Sequence, residues 1–338
     1  MAGRCIRYII GDENMSFFLL GSYSQNAGPD NVNKALIRQS GSELVYAHSK
    51  NKFIYNIETV IKILTSNQVL ISGVCAPRFY ALLRIFCKRY SYLMHGCIKY
   101  ENKINKLQLK PRDIELEEKV IKNAEHIICV SEGYAEWVKR RYPEYRNKIT
   151  FVNNGIDLKQ RQKIPKEPYT VAVSGGNRCI KNNLEVYKAV EKLNKEGIPC
   201  KLFIFGRKYP DNDTIPENDF SIYCGHLDKK EYYQKLDKIS CFVLDSEVES
   251  FGLVVADALN CNCSLLLSEA VGSRCIMKTK EQDVIQDPHN ITEIAEKIQM
   301  AFQHSNADRL FKSIRIEKCS EKAAYQRLKD ILGERARG

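Results

Sequence analysis

Two carboxylates flank a polar turn that connects an apolar run to a segment of helical composition. Glu249 lies in the turn, and Asp257 lies two turns into the predicted helix Phe251–Leu259, which contains no proline. The apolar run Ser240–Leu244 is typical of a buried parallel strand. A helix that starts just after such a strand directs free N–H groups and a positive dipole end at a ligand, and Gly252 permits close approach. The spacing therefore predicts a phosphate site.

A second loop with the residues for phosphate binding follows the apolar run Val171–Val173. Gly175 and Gly176, which precede Asn177, allow the backbone to approach a ligand closely, while Arg178 and Lys181 would neutralise a diphosphate. An ordinary glycine-containing turn with two solvated cations fits the same residues equally well. The loop is therefore a second candidate for the same ligand.

Several of these candidates also have purely structural explanations. Glu249 would cap a helix and Asp257 would be a solvated surface charge in many proteins. His95 ends an apolar run in the first half of the chain, and His226 follows Gly225 at the end of another. A lone histidine is more often a satisfied structural residue than a catalyst. The residue types alone leave both explanations open.

A metal site is not expected from this sequence. Asp211 and Asp213 resemble a metal-binding D-x-D pair, but Pro210 and Pro216 flank them and no apolar strand precedes them. Turn chemistry explains such a segment better. No other cluster of Asp and His has metal-ligand spacing. We therefore predict that neither a metal nor another cofactor is required.

Composition favours a globular enzyme of two domains. The 338 residues are 44% hydrophobic and 28% charged, which is usual for a soluble protein. No stretch approaches the ~20 apolar residues of a membrane span, and the N-terminus lacks a signal-peptide core. The 13 cysteines are scattered without a C-x-x-C pair, so we expect reduced thiols and a cytoplasmic protein.

Positive charge is concentrated in the first half of the chain. Residues 1–160 contain 24 Lys and Arg against 15 Asp and Glu, whereas the remainder contains 28 against 26. Between Arg78 and Arg112 there are nine cations, interleaved with aromatic residues, and one acid, Glu101. This segment fits a solvated basic face or a contact with an anionic membrane surface. No nucleic-acid-binding module accompanies it, so nucleic acid is not expected.

Strands and helices alternate along the chain in two series, which predicts two parallel, doubly wound sheets. A polar linker, Lys159–Pro168, separates the series, and a final helix is expected at Glu321–Leu332. We predict domains at residues 1–160 and 161–318, with residues 319–338 crossing back to the first domain. The predicted strands are Phe17–Leu20, Leu44–Ala47, Gln68–Ser72, Tyr92–Met94, His126–Val130, Ile149–Val152, Val171–Val173, Leu202–Phe205, Ile222–Cys224, Phe242–Leu244 and Leu265–Leu267.

The order of these motifs resembles that of the retaining family 4 glycosyltransferases. Asp245–Leu259 is similar to their E-x7-E region, and Asn153–Asp157 is similar to their N-G-V-D interdomain signature. His126–Ser131 and Val284–Ile298 resemble two further segments of that family. The chain departs from the family at Asp257, where those enzymes have Glu. The resemblance implies a GT-B fold, in which two Rossmann-like domains face a central cleft.

The resemblance also implies roles for individual residues. Glu249 would contact the donor sugar, and Asp257 would hold the ribose hydroxyls. Arg178 and Lys181 would stabilise the leaving diphosphate, which makes them catalytic candidates together with Glu249 and His95. The remaining donor-side candidates are Ser250, Phe251, Gly252, Leu253, Gly176, Asn177, Gly225 and His226. The acceptor-side candidates are Gly28, Asn26 and His95.

The function implied is transfer of a sugar, with retained configuration, from a nucleoside diphosphate sugar to a saccharide or lipid-linked saccharide. Bacterial surface polysaccharide synthesis is the expected context. Two alternatives share the fold: a sugar-nucleotide epimerase, and a non-catalytic relative that stabilises a partner transferase. Turnover of the donor only in the presence of an acceptor separates the transferase from both.

Overall fold

The first half of the chain forms a six-stranded parallel sheet. The computed structural model describes residues 17–23, 28–73 and 75–333. The strands of this sheet are β1 (Phe17–Leu20), β2 (Leu44–Val45), β3 (Gln68–Ser72), β4 (Tyr90–Met94), β5 (Ile127–Cys129) and β6 (Ile149–Phe151). Their order is β2-β1-β3-β4-β5-β6, and every neighbouring pair is parallel.

The second half forms another six-stranded parallel sheet. Its strands are β7 (Thr170–Ser174), β8 (Lys201–Phe205), β9 (Ser221–Gly225), β10 (Cys241–Leu244), β11 (Ser264–Ser268) and β12 (Val284–Ile285). Their order is β12-β11-β10-β7-β8-β9. All residues of β10 and β11 are buried, because helices cover both faces of the sheet. The two doubly wound sheets agree with the predicted fold class.

Twelve α-helices accompany the strands in the described part of the chain. They are α1 (Gly28–Gln39), α2 (Lys52–Thr65), α3 (Pro77–Ile85), α4 (Ile98–Ile104), α5 (Pro111–Asn123), α6 (Glu132–Arg141), α7 (Asn183–Lys195), α8 (Lys229–Leu236), α9 (Val254–Asn260), α10 (Ile291–Gln303), α11 (Ala307–Ser313) and α12 (Glu321–Gly333). Among these helices, none combines the length and the apolar character needed to span a bilayer.

The helix after the acidic turn begins later than predicted. We expected it to start at Phe251, but α9 starts at Val254, so Asp257 lies in its first turn rather than two turns in. The reason lies in Gly252, whose φ of +88° interrupts a right-handed helix. Phe251 instead turns inward and is 1% exposed. Residues 250–252 therefore belong to the loop between β10 and α9.

The cationic segment between Arg78 and Arg112 does not form one surface stripe. It passes through α3, β4 and α4 and enters α5, so its side chains point in several directions. Most of its interleaved aromatic and apolar residues are needed for the core. Phe79, Leu83 and Tyr90 are buried there. The segment therefore does not form one continuous basic stripe, and contact of this region with an anionic membrane stays a prediction.

The final helix packs against the first half of the protein. Glu321 accepts a hydrogen bond from Arg38 in α1. Glu43, which precedes β2, accepts hydrogen bonds from Tyr325 at 2.7 Å and Lys329 at 2.6 Å. α12 therefore contacts the first domain through both apolar and charged groups, even though it follows the second domain in sequence.

Gly155 lies where the start of α12 crosses the segment between the two sheets. A Cβ atom at this position would lie 2.6 Å from the Cα atom of Glu321, closer than such atoms approach in proteins. The neighbour is backbone, so no side-chain rotation would relieve the clash. Only glycine fits at this crossing.

Gly155→Ala should lower the free energy of unfolding by roughly 1–3 kcal/mol, as overpacked sites do. Gly133→Ala, in α6, is the matched control, since a Cβ atom there meets nothing within 4 Å. That control should be neutral or slightly stabilising, because alanine favours the helix. Urea unfolding curves of both variants measure this difference. Equal stability of the two variants would contradict the account of the crossing.

Candidate active site

The two sheets meet at a polar cavity of about 150 Å³. Each sheet order changes direction once, between β1 and β3 and between β7 and β10, and ligands of open α/β sheets bind outside such positions. Loops that follow β4, β7 and β10 contribute most of the lining. The lining residues are His95, Gly96, Cys97, Tyr100, Glu101, Tyr134, Trp137, Arg178, Ile180, Lys181, Val248, Glu249 and Ser250.

Lys181 and Glu249 form an ion pair in the lining of this cavity. The Lys181 ammonium donates to the Glu249 carboxylate, and their side chains are 11% and 14% exposed. Lys181 comes from the loop after β7, and Glu249 comes from the turn after β10, which is the neighbouring strand. The two loops predicted from sequence therefore meet, and they meet through their charged residues. Arg178 lines the same cavity.

Groups from both halves of the chain hold the acidic turn in place. Ser131, the N-cap of α6, donates to the carbonyl oxygen of Ser250 at 2.5 Å. From the second half, the amide of Gly272 donates to the Glu249 carbonyl oxygen at 2.9 Å. Within the described residues, the amide groups of Gly252 and Leu253 have no hydrogen-bond partner. They are available to an anion.

His95 presents a defined tautomer because a hydrogen-bond chain fixes it. Asn33 donates through Nδ2 to the Ser22 carbonyl oxygen at 2.7 Å, which leaves Oδ1 facing Ser72. The Ser72 hydroxyl donates to that Oδ1 at 2.7 Å and lies 2.8 Å from His95 Nε2. The Ser72 hydroxyl has one proton, and it donates that proton to Asn33. Towards His95 it can therefore only accept, so the Nε2 atom of His95 must carry the hydrogen. His95 therefore keeps Nδ1 as a bare acceptor.

Burial also keeps the His95 ring neutral. It lowers the pKa of His95 to about 4, although the negative charge of Asp30 opposes this shift. At neutral pH the ring therefore carries no charge and can accept a hydrogen bond through Nδ1. A hydroxyl group bound in the cavity is a suitable donor for it.

The lowered pKa predicts a pH dependence of stability. Because the folded pKa of His95 lies below the unfolded value near ~6.5, the unfolded chain binds the extra proton first, and stability rises with pH across this window. His95→Gln should flatten the rise in urea midpoint between about pH 4 and 6.5, since glutamine does not titrate. If the urea midpoint rose equally steeply with pH in the wild type and in His95→Gln, His95 would not be a buried neutral ring.

Glu101, Tyr100, Tyr134 and Trp137 were not identified as site residues from sequence. Burial raises the pKa of the Glu101 carboxyl, while Arg178 and Lys181 oppose that effect. Trp137 stacks on Tyr134 with ring centroids 5.6 Å apart, so it packs as predicted but also lines the cavity. One available signal was that Glu101 is the single acid within a cationic segment.

Asp257 lies outside the cavity lining but is not a solvated surface charge. Its carboxylate accepts a hydrogen bond of 2.5 Å from the Tyr233 hydroxyl, which belongs to α8. Burial raises the pKa of Asp257, and the Tyr233 bond and the Lys229 charge act against this rise. Phe251 is also buried, so only the backbone of that residue could contact a ligand.

Several other candidates are positioned for structural roles or lie away from the cavity. The Asn177 amide is engaged with the next loop, since Nδ2 donates to Tyr209 O at 2.9 Å and Oδ1 accepts from Tyr209 N at 2.6 Å. His226 and Gly28 are exposed, and Gly225 ends β9. None of these four residues lines the cavity. Asn26 lies outside the described residues.

The described residues include no cluster of side chains suited to binding a metal ion. No set of three or more His, Cys, Asp and Glu residues there could hold a metal ion. Asp213 lies 3.7 Å from Lys106 in an exposed ion pair, and Asn212 beside it is buried. The twelve cysteines of the described ranges are free thiols, mostly buried.

Family comparisons match most of the chain. The family described as glycosyl transferases group 1 matches residues 156–315, and the glycosyltransferase family 4 matches residues 69–160. No curated protein sequence matches. The two matches overlap at residues 156–160, in the interdomain segment, and together span residues 69–315. The chain therefore belongs to the group 1 / family 4 glycosyltransferases.

Solved structures of the same architecture confirm the GT-B fold. Sucrose-phosphate synthase from Thermosynechococcus elongatus has a TM-score of 0.70 at 14% identity, over 94% of this chain and 98% of that one. Anabaena Alr3699/HepE in complex with UDP and glucose has a TM-score of 0.64 at 10% identity, over 94% and 99%. The lipopolysaccharide outer core galactosyltransferase WaaB has a TM-score of 0.63 at 14% identity, over 95% and 99%.

Proposed function

We propose that this glycosyltransferase moves a sugar from a uridine diphosphate sugar to a hydroxyl group of a saccharide or lipid-linked saccharide, with retained configuration and without a metal. The expected context is bacterial surface polysaccharide synthesis at the cytoplasmic face of the membrane. Support for the nucleotide comes from Alr3699/HepE, whose structures contain UDP and UDP-glucose. Support for the polysaccharide context comes from WaaB, a lipopolysaccharide galactosyltransferase.

The observation that carries the proposal is the buried Lys181–Glu249 pair beside Arg178. A donor diphosphate attracts Lys181, and the same movement frees the Glu249 carboxylate for the hydroxyl groups of the sugar. Arg178 adds a second cation, and the free amide groups of Gly252 and Leu253 add two hydrogen-bond donors. Together these groups stabilise the negative charge that grows on the leaving diphosphate as the sugar–oxygen bond breaks.

The acceptor is proposed to bind against the first domain. Its hydroxyl group would donate to the bare Nδ1 of His95, which holds the oxygen in position to attack the sugar. The attack comes from the face that the diphosphate leaves, as retention requires. Glu101, with its raised pKa, lies in the same cavity and would contact either substrate.

Nucleotide binding is proposed to depend on Asp257. Its carboxylate is oriented by Tyr233 and would accept hydrogen bonds from the ribose hydroxyls. The Asp side chain is one carbon shorter than the usual Glu, and the Tyr233 contact fixes its direction. Gly225 ends β9, His226 follows it, and both would lie near the base.

Replacing Glu249 with Gln should lower turnover about 100-fold, because the amide cannot form the same charge-assisted bonds to the sugar. The affinity for UDP should stay within about threefold, since the lost contact involves the sugar and not the nucleotide. The measurement is UDP release with and without acceptor across a panel of UDP-sugars, together with calorimetric UDP binding.

Glu269→Gln provides the matched control, because Glu269 is an exposed acid just after β11. It should retain wild-type turnover. Normal turnover of Glu249→Gln would remove Glu249 from the reaction. UDP binding by the wild type with no turnover of any UDP-sugar would favour the non-catalytic alternative, and donor conversion without acceptor would favour the epimerase.

Transfer should continue in excess EDTA, with a rate within about twofold of the untreated enzyme, because two cations and backbone amides already face the diphosphate. The assay is the same UDP release after dialysis against chelator. A loss of activity that manganese or magnesium restores would contradict metal independence and direct attention to Asp211 and Asp213.

A further inference from the structure

One face of α2 is apolar although it is exposed to solvent. Phe53 is 72% exposed and Ile61 is 53% exposed. With about 100° of rotation per residue, the five residues of this face fall within an arc of about 100°. They are Phe53, Ile54, Ile57, Ile61 and Leu64, all of them exposed.

The fold itself does not use this face. The opposite side of α2 supplies Thr59 and Ile63, which are completely buried beneath the helix. A surface helix of this kind normally has polar residues on its outer side. α2 therefore has two apolar sides, and only one of them is explained by packing within the protein.

The apolar surface continues onto the end of α3. Ile85 is 71% exposed, and Phe86 beside it is also exposed. Two contacts hold this region against α2: Arg78 of α3 donates to Asn56 Oδ1 at 2.9 Å, and Lys88, in the turn after α3, donates to Leu64 O at 2.6 Å. We call the combined surface the α2–α3 face. It consists of Phe53, Ile54, Ile57, Ile61, Leu64, Ile85 and Phe86.

Positive charge surrounds this face. Residues 51–100 contain seven Lys and Arg but only one acid, Glu58. The Glu58 carboxylate is directed at the preceding loop, where it accepts from the backbone amides of His48 at 2.6 Å and Ser49 at 3.0 Å. Five of these cations belong to α2, to α3 or to the turn after α3, the same elements that carry the face: Lys52, Lys62, Arg78, Arg84 and Lys88.

We propose that the α2–α3 face docks onto an anionic lipid bilayer. Its apolar side chains would enter the boundary between headgroups and acyl chains, while the flanking cations contact lipid phosphates. Charge distinguishes this occupant from a second copy of the chain. A symmetric pair would place two cationic rims against each other, which disfavours association.

The position of the face fits the proposed reaction. α2 begins just after β2, so Phe53 lies on the side of the first sheet where the strands end and the cavity opens. Docking along α2 would thus bring the cleft next to the bilayer surface, within reach of a lipid-linked acceptor. This step rests on the proposed function, whereas docking itself does not.

The test is co-sedimentation of the full-length protein with vesicles of phosphatidylcholine alone or mixed with phosphatidylglycerol. The test variant combines Phe53→Gln, Ile57→Gln and Ile61→Gln, since glutamine maintains the helix. The matched control combines Ile164→Gln, Met300→Gln and Ile316→Gln, which are also exposed apolar residues but lie elsewhere.

The wild type and the control should bind the anionic vesicles equally. The test variant should bind roughly 1,000-fold more weakly, because it replaces three apolar side chains and each fully inserted one contributes roughly tenfold or more. Lys52→Glu with Arg84→Glu should weaken binding to anionic vesicles only, and added salt should weaken the wild type in the same way.

Three outcomes would overturn the proposal. The wild type does not bind anionic vesicles, or the test variant binds as well as the control, or the wild type is a dimer that the test variant dissociates. Sedimentation velocity detects the last case. The vesicle assay needs neither sugar nor acceptor, so its failure is distinct from failure of the proposed transfer. Unchanged circular dichroism and UDP affinity would show that the test variant is folded.

Discussion

The ion pair between Lys181 and Glu249 joins the two loops on which the site depends. One loop follows β7 and the other follows β10, strands that are adjacent in the sheet but separated by almost seventy residues in sequence. Burying two opposite charges is costly unless they are paired, so each residue requires the other in the ligand-free state. The pair holds both loops in the arrangement that a diphosphate would occupy.

Much of the architecture could be predicted because the strands are buried on both faces. Such strands appear as short continuous apolar runs, and eleven of the twelve were recognised within about two residues at each end. β2 was predicted two residues too long. β12 has only two residues, too few to produce a pattern. The late start of α9 was missed because the backbone angle of Gly252 cannot be read from residue type.

The site was only partly predictable for a different reason. Residues within a motif, such as Arg178 and Glu249, are close in sequence to other chemical groups and are noticed together. Glu101 and Trp137 reach the cavity from separate helices; Glu101 was marked only as the single acid of a cationic segment, and nothing in the local sequence marks Trp137. The exposed side of α2 was also missed, because its residues suit a core helix as well as a surface one.

The crossing of α12 onto the first domain has a consequence for biosynthesis. The chain is made from its N-terminus, so the first sheet and α1 leave the ribosome long before their last packing partner. Until α12 arrives, the surface of α1 that it covers and the acidic group of Glu43 remain exposed. The first domain therefore gains this packing partner only after the strands of the second sheet have been synthesised, because α12 follows β12 in the chain.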